Sequence, residues 1–364
     1  MTQKTVGLVG WRGMVGSVLM QRFSEERDWQ HFNPVFFSTS QVGQPAPDQG
    51  QVETQLQDAF DLTVLAHCDI IVTCQGGSYT ERVYTPLRQT GWQGIWIDAA
   101  STLRMDPDST IVLDPVNDAV IHRALDAGGK TFVGGNCTVS LLLLALKGLV
   151  AQDKIEWISA MTYQAVSGAG AQAMQTLLGQ MQALTEGVNI ADHALQLDQQ
   201  VKARLCDPTF PVEGIGFPLA GNVLPWIDSA VEDGQTREEW KAMVEANKIL
   251  QKSHEIVIDG TCVRVGAMRS HAQALTVKLT DAIPLDEVES MVRDAHPWLR
   301  WVNNNREATL NQLTPASVSG TLDIAVGRVR KLLQGPEYLN FFTVGDQLLW
   351  GAAEPLRCML TKFF

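Results

Sequence analysis

The 364-residue sequence has no excess of positive charge. It contains 28 lysine and arginine residues against 40 aspartate and glutamate residues, for a formal net charge of −12. Proteins that bind the phosphate backbone of nucleic acids need a basic face. The charge balance therefore argues against a nucleic acid partner.

Paired cysteines are also absent. The six cysteines are scattered, and none stands in a C-x-x-C pair, whereas disulfide frameworks and zinc sites usually show such spacing. The start of the chain, MTQKTVGLVG, lacks the basic and then apolar segments of a secretory signal. We therefore expect a reduced, cytoplasmic protein without a metal site.

No apolar stretch is long enough to cross a membrane. The longest, Leu141 to Leu146, ends at Lys147, whereas a membrane span needs about 20 residues. Hydrophobic residues make up 45% of the chain and charged residues 19%, which is typical of a protein that folds throughout. The length predicts two domains, because a single core rarely supports more than about 250 to 300 residues.

The first third of the chain alternates strand and helix patterns. KTVGLVG, PVFFSTS, DIIVTCQGG, GIWIDAAS and TIVLDPVN indicate strands, whereas MVGSVLMQRFSEER and TERVYTPLRQTG indicate helices. Such alternation is typical of β-α-β units around a parallel sheet. We expect a Rossmann-like α/β domain over residues 1–136.

The rest of the chain has longer strand patterns, at residues 155–166 and 255–280, with helical patterns such as AMQTLLGQMQAL and REEWKAMVEANKIL between them. This predicts an α+β second domain over residues 137–354. The last segment, TVGDQLLWGAAEPLRCMLTKFF, has an amphipathic helical pattern despite Pro355. We expect the final helix, residues 355–364, to dock onto the amino-terminal domain and complete it.

A glycine-rich turn follows the first strand. VGLVGWRGMVG places there Gly7, Gly10, Gly13 and Gly16. Glycines at such a turn let the backbone approach a pyrophosphate, which the amino-terminal end of a helix stabilises. The spacing differs from the standard G-x-G-x-x-G, so a merely tight turn is the alternative. The position between strand one and helix one favours dinucleotide binding.

The end of the second strand, FFSTSQ, indicates which dinucleotide binds. An acidic residue there usually accepts the ribose hydroxyls of NAD, but Ser38, Thr39 and Ser40 carry no charge. Their hydroxyls and backbone N–H groups suit a 2′-phosphate, and Arg12 in the glycine turn could add a cation. The sequence favours NADP over NAD, and a polar loop that contacts neither is the alternative.

Cys137 follows a strand and begins an apolar helix in TFVGGNCTVSLLLLAL. Unpaired N–H groups and the positive end of the helix dipole favour its thiolate, which is the reactive form. Most free cysteines are instead small buried apolar residues. We expect that role for Cys68, Cys74, Cys206, Cys262 and Cys358. The preceding glycines, and the polar neighbours Asn136 and Thr138, favour a nucleophile at position 137.

A thiolate that acts on an aldehyde or acyl group needs a proton partner. Seven histidines are available, and six of them lie in helical or loop patterns. His271 lies in CVRVGAMRSHAQALTVKL, a strand pattern rich in residues that can bind ligands. We expect His271 to be the partner of Cys137.

Nine segments together resemble the aspartate-β-semialdehyde dehydrogenases of the Gram-negative bacterial type. They are GWRGMVGSVLMQRF, FFSTSQ, TCQGG, WIDAASTLRM, GGNCTVSL, YQAVSGAGA, REEWK, CVRVGAMRSHAQA and FTVGDQLLWGAAEPLR. The resemblance covers nearly the whole chain, and the motifs stand in the family's order. It implies an architecture like that of glyceraldehyde-3-phosphate dehydrogenase and a homodimer.

The activity that this resemblance implies is NADPH-dependent conversion of L-4-aspartyl phosphate to L-aspartate-4-semialdehyde and phosphate, through a cysteine thioester. The reaction belongs to the biosynthesis of lysine, methionine and threonine. Two alternatives remain open. One is an N-acyl-glutamyl-phosphate reductase, which would not need a carboxylate for a free ammonium group, and the other is a non-catalytic NADP-binding relative.

The resemblance also implies the site residues. The catalytic residues would be Cys137 as nucleophile, His271 as general acid/base and Gln164 as a substrate-orienting residue. The substrate contacts would be Arg264 to the carboxylate, Glu238 to the ammonium group, and Arg104 and Lys241 to phosphate, with Asn136 close by. The cofactor contacts would be Arg12, Gly13, Met14, Val15, Thr39, Ser40, Gln75, Ser167, Gly168 and Gln347.

The implied chemistry needs these residue types. Cysteine can form the thioester that links an aldehyde to an acyl phosphate, and the pKa of histidine lies near working pH. A guanidinium can hold a carboxylate through two parallel hydrogen bonds, which suits Arg264. Glu238 and Lys241 are three residues apart and would share a helix face, although an exposed ion pair is the alternative there.

Overall fold

The computed structural model describes residues 3–364, so the first two residues of the predicted amino-terminal domain lie outside the described residues. The strands of its first sheet are β1 (Lys4–Val9), β2 (Phe32–Ser38), β3 (Gln57–Asp58), β4 (Ile70–Thr73), β5 (Ile95–Asp98), β6 (Ser109–Val112) and β7 (Thr131–Gly134). Their order is β3-β2-β1-β4-β5-β7-β6, and every pair is parallel. The expected parallel α/β sheet is confirmed.

Helices connect these parallel strands. They are α1 (Met14–Glu25), α2 (Leu62–Leu65), α3 (Gly77–Gln89) and α4 (Asp114–Asp126). The strand segment IIVT of β4 is buried at every position, because helices cover both faces of such a sheet. The carboxyl ends of the strands lie along one edge, where this fold class binds ligands.

The second sheet is mixed. Its strands are β8 (Ile155–Gln164), β9 (Val223–Leu224), β10 (Val257–Val265), β11 (His271–Leu279), β12 (Leu299–Trp301), β13 (Ile324–Leu332) and β14 (Gly335–Gly345). Their order is β12-β13-β14-β11-β8-β10-β9. The strand pattern at residues 255–280 forms two strands, β10 and β11, which flank β8 on opposite sides.

The remaining helices are α5 (Cys137–Ala151), α6 (Ala171–Thr185), α7 (Ala194–Leu205), α8 (Arg237–Leu250), α9 (Leu285–Arg293), α10 (Arg306–Gln312), α11 (Pro315–Val318) and α12 (Glu354–Thr361). Helix α5 is buried along almost its whole length. Its leucines share one core cluster with Ile111 of β6 and Phe341 of β14, so α5 joins the two sheets. Within residues 3–364, no helix is both long and apolar enough to span a bilayer.

The end of the chain returns to the first sheet. A π-helical turn, Leu349–Ala353, leads into α12, and Pro355 lies in the first turn of that helix. Glu354 pairs with Arg22 of α1, and α12 contacts β5 and β7. The predicted helical segment was too long at its start, because residues 343–345 belong to β14.

Candidate active site

A cleft of about 510 Å³ opens beside the amino-terminal ends of α1 and α5. It brings together many residues that the sequence predicted for the site, namely Met14, Val15, Arg104, Asn136, Cys137, Gln164, Ser167, Gly168, Glu238, Lys241, Arg264 and Gln347. They come from both sheets and from the segment before α12. The topology therefore collects residues that are far apart in the sequence.

The other predicted site residues lie outside the lining of this cleft. Arg12 and Gly13 belong to the turn before α1, Thr39 and Ser40 are exposed after β2, and Gln75 follows β4. All five lie where strands of the first sheet end. His271, at the start of β11, is completely buried.

Cys137 is the first residue of α5, and Asn136 caps the helix. The Asn136 side-chain oxygen accepts hydrogen bonds from the backbone N–H of Thr138 (2.9 Å) and of Val139 (3.3 Å). A Cβ placed on Gly351 would lie 2.8 Å from Cβ of Cys137, so the π-helical turn packs directly against the cysteine. The thiol is partly buried in the wall of the cleft.

Burial, together with the Glu238 carboxylate, raises the pKa of the Cys137 thiol to about 12. Arg104, Arg264 and Lys241 act in the opposite direction. We had expected the helix terminus to favour the thiolate, but the loss of solvation of the charged form outweighs the nearby cations. The resting cysteine is therefore a neutral thiol.

Glu238 is the centre of the polar network in the cleft. One carboxylate oxygen accepts hydrogen bonds from the side chains of Asn136 (3.0 Å) and Gln164 (3.3 Å), and the other accepts from Lys241 (3.1 Å). The Glu238 and Lys241 side chains are both buried. The alternative of an exposed ion pair is therefore wrong, because α8 turns this face towards the interior.

A capping box determines how α8 is oriented. The backbone N–H of Thr236 donates to Glu239, and the backbone N–H of Glu239 donates to the Thr236 hydroxyl. Glu239 thereby points back to the start of the helix and also accepts from the backbone N–H of Cys262. This leaves the next helix face, with Glu238 and Lys241, directed into the cleft.

Arg264 lies at the end of β10, and its guanidinium donates to the carbonyl of Ala165 at 2.8 Å. Burial lowers its pKa, but an arginine remains charged at any working pH. A Cβ on Gly168 would lie 3.0 Å from the Arg264 Nη1 atom and 3.3 Å from His271 Nε2. The absence of a side chain at Gly168 thus keeps both groups close to the cleft.

The imidazole of His271 has one tautomer that fits its surroundings. Its Nδ1 atom accepts a hydrogen bond from the backbone N–H of Ala165 at 3.0 Å, so the neutral ring carries its proton on Nε2. Within residues 3–364, Nε2 has no hydrogen-bond partner. Burial, followed by the charge of Arg264, lowers the pKa of His271 to about 3. The pKa of His271 therefore does not lie near working pH, and the imidazole is neutral there.

Gln347 holds the backbone in front of His271. Its side-chain oxygen accepts from the backbone N–H of Ser270 at 2.7 Å, and its NH₂ group donates to the hydroxyl of Ser167. Ser270 has a φ of 73°, which is uncommon outside glycine. Gln347 thus connects the loop of Ser167 and Gly168 with the strand that carries His271.

Two acidic residues outside the set predicted from the sequence also contact the site. Asp228 accepts a hydrogen bond from Lys241 at 2.8 Å, and Glu245 accepts from Arg104 at 3.2 Å. The helical spacing from Glu238 could have identified Glu245, because residues seven apart share a face. Asp228 lies in a loop, where no periodic pattern indicates its direction.

The glycine turn owes two of its glycines to packing. A Cβ on Gly10 would lie 2.5 Å from the backbone nitrogen of Gln75, and a Cβ on Gly16 would lie 2.2 Å from the carbonyl oxygen of Gly10. Within the turn, Arg12 donates to the hydroxyl of Ser38 at 3.1 Å and to the side chain of Gln41. The guanidinium is thereby held at the end of β2.

The other cysteines take different positions. Cys68 and Cys262 are buried, and Cys74 and Cys358 are partly buried. The expected packing role is wrong for Cys206, which is exposed at the end of α7. That helix has no buried residue, so no apolar core reaches its carboxyl end.

Two family models match the chain, one in each of its two domains. Residues 5–124 match the family model described as "semialdehyde dehydrogenase, NAD binding domain", and residues 146–350 match "semialdehyde dehydrogenase, dimerisation domain". The structure of aspartate semialdehyde dehydrogenase from Francisella tularensis is 49% identical in sequence, and the match covers 99% of each chain with a TM-score of 0.97.

Two more distant structures share the fold. Aspartate semialdehyde dehydrogenase II from Vibrio cholerae, complexed with ASA, is 24% identical, with a TM-score of 0.81. The Candida albicans enzyme, solved with NADP, is 16% identical, with a TM-score of 0.66. Each match covers 99% of the present chain and 98% of the other.

Proposed function

This chain belongs to the semialdehyde dehydrogenase family and within it to the aspartate-semialdehyde dehydrogenases, and we propose that it reduces L-4-aspartyl phosphate through a thioester on Cys137. Membership of this oxidoreductase family confirms the resemblance, the fold class and the enzyme class inferred from the sequence. The observation that carries the proposed mechanism is a cysteine at a helix N-terminus, in a cleft with three cations and the Glu238 carboxylate.

The charges of the cleft complement those of the proposed substrate. L-4-aspartyl phosphate carries a carboxylate, an ammonium group and a phosphate. Arg264 offers a planar guanidinium for the carboxylate, Glu238 offers an acceptor for the ammonium group, and Arg104 with Lys241 offers two cations for the phosphate. We assign these contacts because each pairs opposite charges within one cleft, with Gln164 beside the reacting carbonyl.

The first step forms the thioester. The sulfur of Cys137 attacks the acyl carbonyl, the bond from carbon to the phosphate oxygen breaks, and the thiol proton leaves with the phosphate. This balance suits a resting neutral thiol, because no separate base must hold the proton. Arg104 and Lys241 stabilise the negative charge on the departing phosphate.

The second step reduces the thioester carbonyl and places negative charge on its oxygen. His271 is suited to stabilise that charge, because its Nε2 carries the proton and has no other partner within the described chain. The oxyanion then collapses and breaks the carbon–sulfur bond, which releases the aldehyde and the Cys137 thiolate. The thiolate takes up one proton from water, and this restores the resting thiol. The hydrogen bond from Ala165 to Nδ1 keeps the ring in the donor tautomer throughout.

The first domain binds a nicotinamide dinucleotide, which supplies the hydride in the reductive direction. We assign NADP, because β2 ends in uncharged hydroxyl residues and Arg12 is held beside them. Gly13 leaves the start of α1 open, since its missing side chain faces only the carbonyl oxygen of Gly10. Met14, Val15, Gln75 and Gln347 would complete the contacts, together with Ser167 and Gly168.

The second domain carries the proposed homodimer interface. One face of its sheet packs on α5, whereas Met161 and Tyr163 of β8 are exposed on the other face, beside the partly buried Phe342 of β14. Exposed apolar patches often mark protein interfaces, and the matching family model is described as a dimerisation domain. We place the division between the domains at residues 136 and 137, with α12 completing the first.

The experiment is a phosphate-dependent assay of NADP⁺ reduction with two aldehydes. L-aspartate-4-semialdehyde should react, and an N-acylated glutamate semialdehyde should not, because its amide nitrogen cannot pair with Glu238 as an ammonium group does. Preference for the acylated aldehyde would support the reductase alternative. Cofactor binding without turnover of either aldehyde would indicate a non-catalytic relative.

A further inference from the structure

Helix α8 directs a third charged side chain towards the cleft. Glu238, Lys241 and Glu245 are spaced by three and four residues, which places them on one helix face. Glu245 is only 2% exposed and lies behind the lining of the cleft. None of the substrate contacts proposed above uses it, although a buried carboxylate needs charged or polar partners to offset its desolvation.

The first partner of Glu245 is Arg104, which is 141 residues earlier in the chain. The Nη1 atom of Arg104 lies 3.2 Å from one carboxylate oxygen of Glu245 and 3.5 Å from the other. Both side chains are almost completely buried. The pair therefore lies in an environment where solvent screens the attraction weakly.

The second partner is the backbone before the nucleophile. The N–H of Asn136 donates to Glu245 at 2.7 Å, while the side chain of Asn136 caps α5 and donates to Glu238. The carboxylate of Glu245 thus bridges Arg104 and the residue that precedes Cys137. Glu245 thereby fixes the distance between the Arg104 guanidinium and the start of α5.

The remaining hydrogen bonds of Arg104 show what this bridge achieves. Its Nε donates to the carbonyl of Gly134 at 2.7 Å, and its Nη2 lies 3.3 Å from the carbonyl of Ala99. Arginine has five N–H groups, so these two contacts and the two to the Glu245 oxygens leave at least one N–H free for a ligand. With three anchors in place, the guanidinium has one orientation.

We propose that Glu245 is a positioning residue that orients Arg104 so that its free N–H donates to the phosphate. The inference rests on the proposed function, in which Arg104 binds the phosphate of the acyl phosphate or free phosphate in the reverse reaction. Loss of the carboxylate leaves a buried guanidinium without its counter-charge and free to turn. Phosphate binding then weakens more than aldehyde binding, because Arg264 makes its contact with Ala165 independently of Glu245.

The test is Glu245→Gln in the full chain, assayed in the oxidative direction. Glutamine keeps the shape and one acceptor, but its NH₂ group must face either the Arg104 donor or the Asn136 N–H. We expect the KM for phosphate to rise about tenfold or more, with the KM for aldehyde changing less than twofold. Equal changes in all parameters, or an unchanged KM for phosphate, would overturn the proposal.

Glu239→Gln is the matched control. Glu239 is also buried on α8, but its hydrogen bonds go to the backbone of Thr236 and Cys262, away from Arg104. This variant should lose thermal stability while its KM for phosphate stays within twofold of the wild type. A phosphate-specific defect in both variants would show that any damage to α8 has this effect, and would reject the positioning role.

If Glu245→Gln does not fold, Glu245→Asp takes its place. This variant keeps the charge but shortens the side chain by one carbon, and it should show the same rise in the KM for phosphate.

Thermal unfolding with inorganic phosphate separates this inference from the proposed function. Phosphate should raise the Tm of the wild type and raise that of the Glu245 variant much less. An inactive wild type with this pattern would reject the function and keep the positioning role, whereas equal shifts would reject the positioning role.

Discussion

The cleft around Cys137 and the edge near the end of β2 belong to one proposed site, but they are built differently. In the cleft, Glu238 and Lys241 are buried and have several hydrogen-bond partners each. At the edge, Thr39 and Ser40 are exposed. The cleft is therefore arranged before a ligand arrives, whereas the edge keeps solvent around the group it recognises.

The difference has an energetic consequence. Charges in a partly buried site interact more strongly than charges in water, because fewer water molecules screen them. Exposed charges lose much of their attraction to salt and solvent. Substitutions in the cleft should consequently cost far more activity than substitutions at the edge.

The largest effect is expected at Cys137. Cys137→Ser keeps the shape but supplies a far weaker nucleophile, so kcat should fall on the order of 10⁴-fold or more. Steady-state assays measure the loss, and cofactor binding by fluorescence shows whether the first domain is intact. Cys137→Ala should also fold, with a stability change on the order of 1 kcal/mol, and should be equally inactive.

A covalent test accompanies these variants. Wild-type enzyme given the semialdehyde and NADP⁺ without phosphate should accumulate an acyl-enzyme, visible by intact-protein mass spectrometry and located at Cys137 by peptide mapping. An adduct on another cysteine, or an active alanine variant, would show that Cys137 is not the nucleophile. The cleft would then not be more sensitive to substitution than the edge.

The second effect is expected at Arg264. Arg264→Leu should reduce kcat/KM for the aldehyde by a factor that corresponds to about 2 to 5 kcal/mol of lost transition-state stabilisation. Losses of this size are typical when one partner of a buried charge pair is removed. Arg264→Lys should recover only part of it, because an ammonium group cannot form two parallel hydrogen bonds. Kinetics with varied aldehyde measure both. A fully active lysine variant would contradict the bidentate contact.

The third prediction concerns pH. Because the pKa of Cys137 is raised to about 12, the thiol predominates from pH 6 to 9, and the reactive thiolate fraction rises with pH. Alkylation by iodoacetamide should accelerate about tenfold per pH unit without a plateau. Rates measured by peptide mapping in a Cys206→Ser background, which lacks the exposed thiol, test this. A plateau below pH 9 would show that the cations outweigh burial.

The smallest effect is expected at the edge. Thr39→Asp should place a negative charge beside the 2′-phosphate. The binding of NADPH should then weaken by about 1 kcal/mol, or roughly fivefold, relative to the binding of NADH. Added salt should reduce the difference. Thr54→Asp, an exposed threonine elsewhere in the first domain, controls for added charge. Equal losses with both cofactors would show that this turn does not read the phosphate.

Local patterns predicted the elements well where one segment determines its own structure. The helical pattern REEWKAMVEANKIL coincides with α8 at both ends, because the Thr236 cap and the apolar spacing are local. The two strands within residues 255–280 were harder to predict from the sequence. A continuous apolar alternation does not show that residues 266–270 reverse the chain, with Ser270 at positive φ.

The sequence by itself determined the order of the motifs, the family, the glycine turn and the identity of the candidate nucleophile. Only the tertiary structure decided that Glu245 meets Arg104 across 141 residues, that Ala165 selects the tautomer of His271, and that Cys137 rests as a thiol. These properties depend on which groups surround an atom and on how much water remains beside it. Desolvation and charge act through space, so residues far apart in the chain determine them.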